Sequence, residues 1–89
     1  MDKTKLTMCR AVEYLLKDLC VEWGFCIPTS DAERIKAKEF IEADSFACEV
    51  LSAEGMNPEY EVQWRKKIRN RFIEQFGQEI SSSEFKQKP

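Results

Sequence analysis

The chain has 89 residues, 43% of them hydrophobic and 34% charged, with three glycines, three prolines and a formal net charge of −2. That length suffices for one modest core and falls short of two domains. So little Gly and Pro excludes the many tight turns of an all-β fold, and the mildly acidic balance argues against a chain built mainly to bind nucleic acid.

The charge is uneven. Residues 1–57 carry seven Lys/Arg against eleven Asp/Glu, a balance of −4, whereas residues 58–89 carry seven against five, a balance of +2. The longest uncharged stretch, Trp23 to Ser30, is far shorter than the roughly 18 residues a membrane-spanning helix needs. Charged and apolar residues alternate near the start (Asp2, Lys3, Lys5, Arg10, Glu13), so no signal-peptide core is expected. The expected location is cytoplasmic, with Cys9, Cys20, Cys26 and Cys48 reduced. None of these forms a CxxC pair and the chain has no histidine. No metal or cofactor is therefore expected, and the cysteines read as small apolar residues filling gaps on helix faces.

The first predicted helix covers residues 4–23. Met8, Val12, Leu15, Leu16, Leu19 and Trp23 recur at helical spacing, with Arg10, Glu13, Lys17 and Asp18 on the opposite side. Gly24 stops it, and Phe25 can fold back on the last turn. The connector Phe25-Cys26-Ile27-Pro28-Thr29 is unusually apolar. It reads as a strap across the open end of a bundle or, alternatively, as a patch that touches a partner.

Ser30 and Glu33 have the spacing of a capping box and open a second predicted helix over residues 31–54. Its apolar face comprises Ile35, Phe40, Ala43, Phe46, Ala47, Val50 and Leu51. Gly55 terminates it, with Met56 and Leu51 placed to close a Schellman motif. Asn57 caps a third helix over residues 58–76, with Pro58 at its first position, where the missing N–H costs nothing. Gly77 ends it. No strand pair is expected. The fold class is all-α: a three-helix domain over residues 1–77, followed by a flexible tail over residues 78–89.

The third helix holds the candidate site. Tyr60, Trp64, Ile68, Phe72 and Phe76 form an i, i+4 stripe, and Val62 and Ile73 widen the apolar arc beyond half the circumference. Two other helices cannot cover so broad an arc, which points to a homodimer or another protein as partner. The same helix carries Arg65, Lys66, Lys67, Arg69 and Arg71 with no acid among them. Three readings compete: a solvated face with stems lying on apolar surface, pairing of Arg65 or Arg69 with Glu39 across a helix interface, and phosphate contact. A helix-turn-helix fits poorly. Leu51 stands where a small residue should pack, Glu61 falls on an apolar position, and Pro58 occupies the base-reading end.

Without histidine, a Gly-rich phosphate loop or a GxSxG elbow, no catalytic residues and no small-molecule substrate are evident. The expected function is a non-enzymatic protein–protein interaction or regulatory module. It would bind another protein, or itself, through Phe25, Ile27, Tyr60, Trp64, Arg65, Ile68, Arg69 and Phe72. The alternative is a nucleic-acid-associated module using Lys66, Lys67, Arg69 and Arg71.

Overall fold

Helix α1, Lys3–Trp23, packs one face inward: Val12, Leu15 and Leu19 are fully buried, and Met8 and Leu16 nearly so. The structure, a computed structural model, describes residues 3–81, with side chains from Met8 onward. Gly24 (φ 78°) ends α1 as expected. Its N–H bonds to the Cys20 carbonyl at 3.0 Å and that of Phe25 to the Leu19 carbonyl at 3.2 Å, so Phe25 turns into the core.

The second predicted helix is in fact three elements: α2 (Thr29–Lys36), the strand β1 (Phe40–Glu42) and α3 (Ala43–Ala53). Ser30 lies within α2, so the expected capping box does not form; Pro28 occupies the cap position and makes no side-chain cap bond. The helix ends at Ala37, whose N–H reaches the Glu33 carbonyl at 3.0 Å. Extended backbone then alternates the side chains across β1. Ile41 is 2% exposed and Phe40 52%, the reverse of what a continuous helix requires.

The partner of β1 is β2, Glu79–Ser81, paired antiparallel with Ile41 opposite Ile80. Ile80 is buried. The segment expected to be a flexible tail from residue 78 thus contributes a strand and a core residue as far as Ser81; the rest of that expectation lies outside the described residues. The clasp also caps α3. Glu42, the residue before it, makes no side-chain cap bond, and the Ala43 N–H is taken by the Gln78 carbonyl at 2.8 Å.

The C-terminus of α3 closes as the Schellman motif read from the sequence. The Gly55 N–H reaches the Ser52 carbonyl at 3.0 Å, and that of Met56 the Leu51 carbonyl at 2.9 Å. Asn57 does not cap the next helix, whose cap position falls on Glu61 with no side-chain cap bond, and Pro58 lies before that helix rather than at its first position. Asn57 closes the preceding turn instead. Its Oδ1 accepts from the Glu59 N–H at 2.9 Å, and its carbonyl accepts from Tyr60 and Glu61. Helix α4 proper runs Val62–Phe76, shorter than the expected 58–76, and Gly77 follows it.

Helices α3 and α4 share the most extensive packing, centred on Phe46 and Phe72 with ring centroids 5.0 Å apart. The fold is thus mostly helical, with four helices and one two-stranded clasp among the described residues. The buried residues form one continuous apolar cluster, with no buried polar or charged residue among those described. No described helix is long and apolar enough to cross a membrane.

Candidate interaction surface

Helix α4 hides most of the stripe that marked it in the sequence. Ile68 and Phe72 are fully buried, and Trp64, Ile73 and Phe76 pack half-buried against the core. Ile68 and Phe72 are therefore core residues of a single chain and cannot meet a partner. The reason is the αα pairing: α3 presents Phe46, Ala47, Val50 and Leu51 along its length, and the two alanines of its core face, Ala43 and Ala47, leave room for the large side chains of α4. Phe25, 4% exposed, is likewise unavailable, and Ile27 is half-buried against the core.

What remains outside lies at the start of α4. Tyr60 is 83% exposed and Val62 50%. Further along, Trp64 stacks at a tilt on Trp23 (centroids 5.7 Å) and meets Phe25 in a T-shaped contact (5.0 Å). The Lys67 ammonium sits 4.8 Å over the Trp64 ring and the Arg71 guanidinium 5.7 Å over that of Trp23, both within cation–π range. Residues 64, 67 and 71 follow helical spacing along the edge of α4 that meets the end of α1, and Tyr60 lies in the turn just before that helix. Other exposed large apolar residues, Tyr14, Val21 and Phe40, lie on α1 and β1.

The basic stretch is divided among separate partners. Arg65 binds Asp44, Nε to Oδ1 at 3.0 Å and Nη2 to Oδ2 at 2.7 Å. For Arg65, this replaces the pairing with Glu39, one of the three competing readings. Where the predicted helix breaks, Glu39 moves to an exposed position, and the acid facing Arg65 comes from the first turn of α3. The Arg65 hydrogen bond holds the Asp44 carboxyl below its usual range. Arg71 grips Glu22 through two bonds of 3.0 and 2.6 Å, with Asp18 at 3.8 Å, and the Glu22 carboxyl is lowered by the same contact. Arg69 borders an open cleft with Glu42, Asp44, Asn70, Gln78 and Glu79. Its buried Nε has no hydrogen-bond partner among the described residues.

Only Lys66 and Lys67 stay exposed without an ion pair among the described residues, so the four cations of the nucleic-acid reading do not form one patch. Arg71 is turned toward the acids of α1, and Arg69 toward a carboxylate-rich cleft that repels phosphate.

The cysteines also depart from expectation. Cys20 and Cys26 are joined as a disulfide, because the turn at Gly24 brings their Cα atoms to 4.3 Å. Cys9 and Cys48 are free. No cluster of three or more His, Cys, Asp or Glu suited to a metal ion occurs among the described residues. The signal for the disulfide was present in the sequence as a pair of cysteines flanking a helix-stop glycine. Comparison with protein-family models, curated proteins and solved structures finds no match to this chain.

Proposed function

We propose that this chain is a small non-enzymatic protein-binding module. Its contact face is the aromatic edge where the end of α1 meets the start of α4. One observation carries the reading: Tyr60 and Val62 stand out into solvent in the stretch of chain that leads to Trp64, one of a half-buried tryptophan pair that already carries a cation. Tyrosine and tryptophan are among the side chains most enriched at the energetic centres of protein interfaces. The fold supports it by holding Trp64 rigidly between Trp23 and Phe25, so little side-chain entropy is lost on binding. The partner is another protein or a second copy of this chain.

Light scattering at micromolar concentration tests self-association. A dimer that Tyr60→Ser with Val62→Ser converts to monomer, at unchanged helicity, supports the second-copy form. A photo-crosslinker at position 60, compared with one at position 14, tests a foreign partner. Crosslinks from 60 and not from 14 support the face. A monomer with no crosslink preference at 60 overturns the proposal.

A further inference from the structure

The strap after α1 holds chemistry that the binding face does not use. Cys20 lies in the last turn of α1 and Cys26 just past Gly24, and their sulfurs are bonded. Cys26 is exposed, while its neighbour Phe25 is buried with its ring in a T-shaped contact with Trp64. Beyond Phe25, Cys26 and Ile27 make no backbone–backbone hydrogen bond among the described residues. The sulfur bridge and the packing of Ile27 therefore hold this part of the strap to α1. Held there, it walls a groove with Leu16, Ala32 and Lys36 on the other sides.

We propose that Cys20–Cys26 is a reversible dithiol–disulfide site, reduced by a protein or small-molecule dithiol, and that its reduction frees the strap and opens the groove. A thiolate of the dithiol attacks the Sγ of Cys26, the exposed residue of the pair. The Cys20–Cys26 bond breaks, a mixed disulfide forms on Cys26, and Cys20 leaves with the electron pair as a thiolate that takes a proton from solvent. The second thiol of the reductant then attacks its own sulfur in the mixed disulfide. Cys26 leaves as a thiolate and is protonated, and the reductant ends as a disulfide. Two electrons and two protons pass to the chain.

Three features favour exchange over a purely structural staple. The attacked sulfur belongs to an exposed residue. The bridge closes a loop with a sequence separation of only six, and short loops gain least from a cross-link. The inward face of α1 is anchored by Val12, Leu15 and Leu19, all fully buried and none of them part of the bridge. Cys48 does not compete, since burial pushes its thiol up and keeps it protonated. The inference goes beyond the binding reading and stands without it.

The test uses the full, air-oxidised chain titrated with dithiothreitol. Free thiols should rise from two to four, and amide exchange at residues 25–27 should accelerate at least tenfold. Trp23 and Trp64 emission should change, and helical circular dichroism should be retained. Reoxidation should reverse every change. Cys26→Ser should show the fast exchange with or without dithiol; if that variant does not fold, the titration of the native chain decides alone. Four free thiols before any reductant, unchanged exchange at 25–27 after reduction, or loss of helicity on reduction would each overturn the proposal.

Discussion

Arg65 of α4 holds Asp44 of α3 in a two-bond fork, Nε to Oδ1 and Nη2 to Oδ2, so the first turn of one helix is tied to the first turn of the next. Both side chains remain about a third exposed, so solvent screens the pair and its contribution to stability is small. Arg65→Lys loses the fork and should lower the urea midpoint nearly as far as Arg65→Ala.

Acid should weaken the fold through the same contacts. Asp44, Glu22 and Glu13 all titrate below their ordinary values, each chiefly through a hydrogen bond from its cationic partner, Arg65, Arg71 and Lys36 respectively. A carboxyl that is more acidic folded than unfolded stabilises fully above its unfolded value, and that stabilisation disappears as pH falls through the folded one. The melting temperature should therefore be flat near neutrality and drop below about pH 4. In Asp44→Asn the drop should be shallower, as differential scanning fluorimetry across pH 2–7 would measure.

Gly55 sits at φ 79° with open space where a Cβ would be. Gly55→Ala should thus cost only the backbone strain of the left-handed region, about 1 kcal/mol, read as a lower urea midpoint with unchanged slope.

The strand β1 reverses the roles of two neighbours. Ile41→Ala should destabilise by about 2–4 kcal/mol, as for a fully buried aliphatic side chain. Phe40→Ala should stay within about 0.5 kcal/mol, as for an exposed one. Equal losses, or a larger loss at Phe40, would mean that a helix continues through this segment. Chemical denaturation distinguishes these outcomes.

That reversal marks where sequence reading stopped. The three glycine stops, the buried face of α1 and the Schellman closure at Gly55 were legible because each is local: a handful of adjacent residues specifies it. The break after Lys36 was not. No Gly or Pro lies between Lys36 and Ala43, every residue there tolerates a helix, and the competing strand is stabilised by Ile80, far along the chain. The site suffered similarly. The stripe from Trp64 to Phe76 was read correctly as apolar, yet periodicity gives the width of a face and not what covers it. Here α3 does. The Asp44 partner of Arg65 became predictable only once the helix had been split.

Burial also inverts a mutational expectation. Ile68 has no exposed surface, so Ile68→Asp should unfold the chain outright, with loss of helical circular dichroism, rather than dissociate an oligomer.

The clasp between β1 and β2 has a consequence for how the molecule reaches its final state. The amide that begins α3 is sealed by a carbonyl at residue 78, and Ile41 finishes its packing on residue 80. Synthesis must pass residue 80 before the segment around Ile41 and Ala43 can lock. Until then the α3–α4 pair can assemble by itself, and the closing stitch comes late.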